Sequence, residues 1–287
     1  MNIAIIGASN IDIQTQSKDK IINGDSNIGT HLIHFGGVGR NIAINLSILG
    51  HRVLFFTNNA LDALGKSMYK DTKRYVKVLC KNALLSNIYL SIFDHDKDLY
   101  VAIASMNEDI VGIKMLLRHH KKLIKSDMIL TETNMSEDVL AYISRLNHPF
   151  KVVELVSITK ALKIKSYVNG FHYIKGNKEE IKAVFDSEEP SHIQAKIADD
   201  QHVIMTSKDD IVYDITKDHI TSFKPEKVDI TNTSGAGDGF LSGYLDGIKD
   251  NPLKRGFEIS KYVLQSHEST MKGYNYDKNS RTYKKST

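Results

Sequence analysis

With 287 residues, 41% of them apolar and 25% charged, the chain has the make-up of an ordinary globular protein able to bury one sizeable core. A formal net charge of +4 is too small for this length to argue for nucleic-acid binding, and the single cysteine, Cys80, rules out a disulfide framework or a cysteine metal cluster. No apolar run approaches a membrane span and the first residues do not read as a signal peptide, so the expected location is the cytoplasm, with no membrane partner.

The N-terminal MNIAIIGASN reads as a buried strand starting at residue 3. Further short apolar runs at Val53–Phe56, Met128–Leu130, Val152–Leu155, Tyr173–Ile174 and Val203–Met205 predict buried strands. Amphipathic stretches at Ala60–Lys73, Val111–Lys122, Glu137–Leu146, Glu179–Phe185 and Pro190–Ile197 predict helices between them. This alternation argues for an α/β fold with a mainly parallel central sheet and helices on both faces. Ligands in such sheets lie beyond the carboxyl ends of the strands. Segments 11–35 and 86–105 break the alternation. There Tyr89–Phe93 and Leu99–Ile103 flank a turn at Asp94–Asp98, predicting a hairpin and a β-rich excursion from the α/β domain. Prolines 149, 190, 225 and 252 are scattered, no repeat or low-complexity linker appears, and one domain over 1–287 is expected.

Two glycine-rich segments open helices. Gly36-Gly37-Val38-Gly39-Arg40-Asn41 precedes a helix to about Leu49, with Ile42, Leu46 and Leu49 on one face and Gly50 placed as its cap. Asn232-Thr233-Ser234-Gly235-Ala236-Gly237-Asp238-Gly239-Phe240 precedes a helix predicted from Phe240 to Ile248. Glycines let backbone approach a ligand, and the NH groups of a helix start favour an anion. Neither segment matches a Walker loop or a dinucleotide fingerprint, and each could be a plain flexible turn. Two such turns could converge on one cleft. An aspartate in an anion-binding turn repels the phosphate the turn attracts, a penalty that makes sense if Asp238 takes a proton from a hydroxyl attacking a phosphoryl group.

Other candidates follow from position. Asn10-Ile11-Asp12 follows the first strand at the ligand edge; its acid is suited to vicinal hydroxyls, or is simply a turn acid. In Asn177-Lys178-Glu179-Glu180, Asn177 reads as a helix N-cap and Glu180 as its capping-box partner. Arg40 could touch a phosphate or base, or stay on the surface beside the cleft. His119-His120 shows no metal-ligand spacing and reads as solvated on a basic helix, as do the other cations of Lys114–Lys125. The polar, basic tail from about Met271 is expected to be loosely ordered.

HFGGVGRNIAINLSILG and DITNTSGAGDGFLSGYLDGI resemble the two signature segments of the ribokinase-like (PfkB) carbohydrate kinase family. IIGASNIDI, YLSIFDHDKDLYVAIASM, LTETNMSEDVL, VSITKALKI and LQSHEST resemble, in order, segments of its pseudouridine kinases, so the match spans nearly the whole chain. The resemblance implies a ribokinase-like fold whose two β-rich segments form a small lid over the sugar, often pairing with a second subunit, hence a homodimer through the lid. It implies ATP-dependent phosphorylation of a nucleoside or sugar, in the pseudouridine kinases at the 5'-hydroxyl. Asp238 would be the base, with Gly235, Ala236 and Gly237 forming the anion hole. Asp12, Asn10, Gly36, Gly37, Asn41 and Glu132 would bind the acceptor. Asn177, Glu180, Thr206 and Ser207 would serve the nucleotide, with Glu180 organising Mg2+ through water. Many family members also use K+ near the anion hole.

The chain departs from that pattern in places. Thr206-Ser207-Lys208-Asp209-Asp210 stands where Thr-x-Gly-x-x-Gly is usual, with both glycines absent. Glu154-Leu155-Val156-Ser157 replaces Asp-Pro-Val-Ser, Ser105-Met106 replaces Asp-Met, and the usual hairpin glycine is missing around Lys97. The nucleotide side is therefore expected to differ more than the phosphoryl-transfer side. Another sugar or nucleoside kinase of the family, or a non-catalytic binding protein on a decayed kinase fold, remain the alternatives.

Overall fold

The structure is a computed structural model, and it describes residues 1–107, 110–207, 211–225, 229–230 and 234–274. The first half runs β1 (Asn2–Ile6), β2 (Asn10–Ser17), β3 (Gly29–Gly36), α1 (Val38–Ile48), β4 (Arg52–Ala60), α2 (Ala63–Thr72), β5 (Lys77–Ala83), β6 (Ile88–Phe93) and β7 (Leu99–Ser105). It continues with α3 (Ile113–Arg118), α4 (His120–Ile124), β8 (Met128–Glu132), α5 (Glu137–Arg145), β9 (Lys151–Glu154), α6 (Ile158–Ala161) and a 3-10 stretch at Leu162–Gly170. The last part holds β10 (Tyr173–Asn177), α7 (Lys178–Phe185), α8 (Pro190–Lys196), β11 (His202–Thr206), β12 (Val212–Thr216), β13 (Ile220–Phe223), α9 (Ala236–Asp246) and α10 (Pro252–Leu264).

The large sheet has the order β13-β12-β11-β10-β9-β8-β1-β4-β5, parallel from β5 through β11, with β12 and β13 antiparallel at one edge. Its central strands are apolar on both sides because helices cover both faces. In β1, Ile3 and Ile5 enter one core and Ala4 and Ile6 the other. The first core is roofed by Ile42 and Leu46 of α1 and by Phe240, Leu241 and Tyr244 of α9; the second by Val139 and Ile143 of α5 and Ile181 and Val184 of α7. Burying each such side chain contributes about 1.5–3 kcal/mol. Because α1 and α9 pack on the same face, their glycine-rich starts are brought to the same sheet edge. The chain goes from β1 outward to β4 and β5, then returns to β8 on the other side of β1. That reversal opens a crevice beyond β1 and β8.

The expected β-rich excursion is a separate four-stranded sheet, β3-β2-β6-β7. Its hairpin turn is closed by Asp94, whose carboxylate accepts from the NH groups of Asp96 at 3.0 Å and Asp98 at 2.9 Å. Lys97 takes φ 70°, the left-handed conformation that the missing glycine would adopt without strain.

Several boundaries differ from expectation. The helix predicted from Ala60 starts at Ala63, since β4 runs to Ala60 and Asp62 caps the helix through the Gly65 NH at 2.7 Å. The stretch predicted over Val111–Lys122 starts at Ile113 and breaks at His119. His119 is not merely solvated: its ring packs edge-on to Phe56, centroids 5.8 Å apart. The helix predicted from Phe240 begins four residues earlier, at Ala236, placing Asp238 in its first turn. The tail is ordered at its start. Met271 is fully buried, its NH donates to Asn45 Oδ1 at 2.8 Å, and Tyr274 packs on Tyr262. Residues 275–287 lie outside the described residues.

Candidate active site

Beyond the end of β1 the chain bends sharply against the start of α1. The Ala8 carbonyl accepts from the Arg40 NH at 3.1 Å, and a methyl group on Gly37 would lie 2.6 Å from that carbonyl and 2.7 Å from Asn10 Oδ1. Gly37, the N-cap of α1, also holds φ 102°. Gly36 lies against the Asp12 carboxylate: a methyl there would fall 2.1 Å from Asp12 Oδ2. Asn10 Nδ2 donates to Asp12 Oδ1. Burial pushes the Asp12 carboxyl up to about 6, against the Asn10 hydrogen bond and the Arg40 charge and with help from the Asp238 charge. The Asp238 charge is thus felt at Asp12, so the fold brings the two carboxylates near one another although 226 residues separate them in sequence (238 − 12).

The second glycine turn faces the first. Gly235 caps α9 at φ 81°, with no side-chain cap hydrogen bond there among the described residues. The orphan NH groups of that first turn are what an anion would accept from. Asp238 is 8% exposed, and its Oδ2 accepts from Asn41 Nδ2 at 2.9 Å. Asn41 Oδ1 is buried without a partner among the described residues, an acceptor left over for a ligand hydroxyl. Burial raises the Asp238 carboxyl to about 6, against the Asn41 hydrogen bond and the nearby charge of Lys175. A carboxylate so placed can orient a hydroxyl and take its proton near neutral pH.

On the other side of Asp238 lie β9, β10 and α7. Asn177 and Glu180 form a reciprocal capping box, each backbone NH donating to the other's side chain at 2.8 Å. Glu180 Oε1 makes no hydrogen bond among the described residues, and burial raises its pKa. A hard oxygen donor with one free oxygen fits a hydrated magnesium ion, so Glu180 would hold Mg2+ through water, with Asn177 beside it. Thr206, at the end of β11, donates from Oγ1 to the Gly176 carbonyl at 3.4 Å, and the Ser207 NH to the Ile211 carbonyl at 3.1 Å. The missing glycine at Asp210 lies outside the described residues. A cleft of about 770 Å³ opens beside Ala236 and Gly237, walled by Thr206, Ser207, Val212, Phe223 and Phe257. Apolar walls meeting an anion turn suit a base joined to phosphates.

Two residues sit differently from expectation. Glu132 is fully buried, with Oε1 accepting from the Ala8 NH at 2.7 Å and Oε2 from the Asn134 NH at 2.5 Å. It ties β8 to the turn that leads into Asn10 and Asp12 of β2, so it positions the site. Arg40 is not at the surface. It is fully buried, paired with Asp71 and donating to Thr72 Oγ1 at 2.9 Å and to the Phe35 carbonyl. Lys175 was missed. Its signal was a lysine inside the buried strand Tyr173–Asn177, two residues before Asn177.

Two helix starts, a buried carboxylate between them and a cleft behind define a phosphotransferase with an alcohol group as acceptor. The model for the family described as "pfkB family carbohydrate kinase" matches residues 1–261, and the chain belongs to that family of sugar and nucleoside kinases. Among curated proteins it is 30% identical over 267 residues to the pseudouridine kinase of Escherichia coli (strain K12), covering 86% of this chain and 84% of that one. It is 24% identical to the guanosine-inosine kinase of Exiguobacterium acetylicum, over 93% and 95% of the two chains. Among solved structures, a carbohydrate kinase from Agrobacterium tumefaciens shares the fold with a TM-score of 0.81, 23% identity and coverage of 94% and 93%. No helix among the described residues is long and apolar enough to cross a membrane.

Proposed function

We propose that the chain transfers the γ-phosphoryl group of ATP to the 5'-hydroxyl of a nucleoside, with pseudouridine as the preferred acceptor. The observation that carries this reading is the Asn41–Asp238 contact at 2.9 Å, which sets a buried, proton-accepting carboxylate against the start of α1 and beside the anion turn. The likeness to the Escherichia coli pseudouridine kinase supports the choice of acceptor.

Asp12 and Asn10 would hold the ribosyl hydroxyls, with Asn41 Oδ1 taking a further hydroxyl proton in a hydrogen bond. Asp238 would accept the proton of the attacking hydroxyl as its oxygen bonds to the γ-phosphorus and the bond to the leaving ADP breaks. The NH groups of Gly235, Ala236 and Gly237 would stabilise charge on the phosphoryl oxygens, the contribution expected to be largest. Magnesium, when bound, supplies charge neutralisation along the phosphates.

The sheet register gives the acceptor more than a diol clamp. Asp12 pairs across strands with His34 and Tyr89, and Gln14 follows on the same face, so polar and aromatic groups flank the sugar acid. This favours an acceptor with a base over free ribose. On the opposite face Ile33, Ile13, Leu90 and Ile103 align across all four strands, with Ile33 and Ile103 exposed. Such an apolar row supports a homodimer through this sheet. The testing experiment is a substrate panel of pseudouridine, uridine, ribose and fructose with ATP, magnesium and potassium. Preference for ribose over every nucleoside would overturn the acceptor assignment and leave the chemistry standing.

A further inference from the structure

Gly237 lacks a side chain for a reason unlike that of Gly235. Its φ lies outside the left-handed region, so the backbone does not demand glycine. Apart from its own helix, a methyl group at this position would meet one atom within 4 Å among the described residues: the Nζ of Lys175, at 3.0 Å. The room left by Gly237 is thus occupied by an ammonium group pressed against the first turn of α9, where the phosphoryl group is expected.

That ammonium is buried and held from below. Lys175 is 5% exposed and pairs with Glu154, its cross-strand partner in the β9–β10 register. An ammonium has three donors, and among the described residues Lys175 finds one acceptor, Glu154 Oε1. Burial works to lower its pKa, but the charges of Glu154, then Asp238 and Glu180, outweigh that and raise it. The cation is therefore kept, with donors uncommitted, at the anion turn.

We propose that Lys175 is a further catalytic residue, donating hydrogen bonds to the transferring phosphoryl oxygens, and that Glu154 is the positioning residue that holds it there. The proposal rests on the kinase reading. No covalent bond forms to the lysine, and it keeps its proton throughout; it supplies charge where negative charge builds during transfer. Removing the ammonium should therefore lower turnover more than acceptor binding.

The test uses the full chain with Lys175→Met, Glu154→Gln and the double variant. The readouts are turnover at saturating ATP and acceptor, affinity for inorganic tripolyphosphate by calorimetry, and thermal melting. Lys175→Met should lose about 100-fold or more in turnover, the scale of one oxyanion donor. It should also weaken tripolyphosphate binding, while Glu154→Gln should tighten it by removing a competing anion. The double variant, which deletes both buried charges, should melt like the wild type or above it and stay slow. Recovery of turnover together with stability in the double variant would mean a purely structural pair and overturn the proposal. If the wild-type chain phosphorylates no acceptor, the kinase reading fails and the tripolyphosphate titrations decide. Opposite shifts for the two single variants then uphold the anion contact, and unchanged or same-direction shifts overturn it.

Discussion

Replacing Asp238 by asparagine should make the protein more stable and nearly inactive. The carboxyl is raised by burial from 3.8 to about 6, so holding it ionised in the folded chain costs about 3 kcal/mol at neutral pH. Asp238→Asn removes that charge while its amide oxygen still accepts from Asn41 Nδ2. Between 3.8 and about 6 the unfolded chain has released the proton and the folded chain keeps it, so wild-type stability falls as pH rises through this window. The variant has no such group. Its advantage should be absent below the window, grow across it and stay full above pH 6, reaching on the order of 5 °C in melting temperature for a chain of this size. Turnover should fall by about 100-fold or more as the general base is lost. Melting scans from pH 4 to 8 and a phosphorylation assay check both halves. A stability change independent of pH, or turnover near that of the wild type, would refute the reasoning.

In their proposed roles Asp238 and Asp12 act ionised, and both stand at about 6, so kcat/KM should fall as pH drops through 6. Asp12→Asn should raise the acceptor KM by about tenfold or more through a lost charged hydrogen bond, with a smaller effect on kcat; steady-state kinetics on both substrates read this. Lys97→Gly should stabilise the small sheet by about 1 kcal/mol by relieving the left-handed φ of 70°, seen as a higher melting temperature with unchanged activity. Arg40→Met should destabilise by about 3 kcal/mol or more, since it strands the buried oxygen partners of a fully buried guanidinium. Denaturant unfolding measures it.

The parallel sheet was legible because strands covered on both faces must be continuously apolar, as at Ile3–Ile6 and Val203–Met205. The helix ends were less so. Asp238 reads as part of a turn because Gly235 to Gly237 look like loop, yet a chain with φ 81° at Gly235 can start its helix at the next residue. The acceptor and anion elements could be placed at one edge from their positions after a strand and before helices. What sequence could not tell was the direction in which charged side chains point. Arg40 sits inside a glycine motif and reads as a ligand contact, but it turns inward to Asp71, a residue 31 positions away whose partnership no local pattern announces. Glu132 likewise looks like a cleft acid and spends both oxygens on backbone NH groups. Lys175 reads as an oddity in a buried strand until the fold brings Glu154 beneath it and Gly237 above.

The measurement closest to the central claim is ATP-dependent phosphorylation by the purified chain with magnesium and potassium, offering pseudouridine, uridine, ribose and fructose in parallel and Asp238→Ala as control. The account predicts that pseudouridine is phosphorylated fastest, at its 5'-hydroxyl, and that the control loses the reaction while still binding the acceptor. Silence of the wild-type chain toward all four, with acceptor binding intact, would contradict it and point to a binding protein built on a kinase fold.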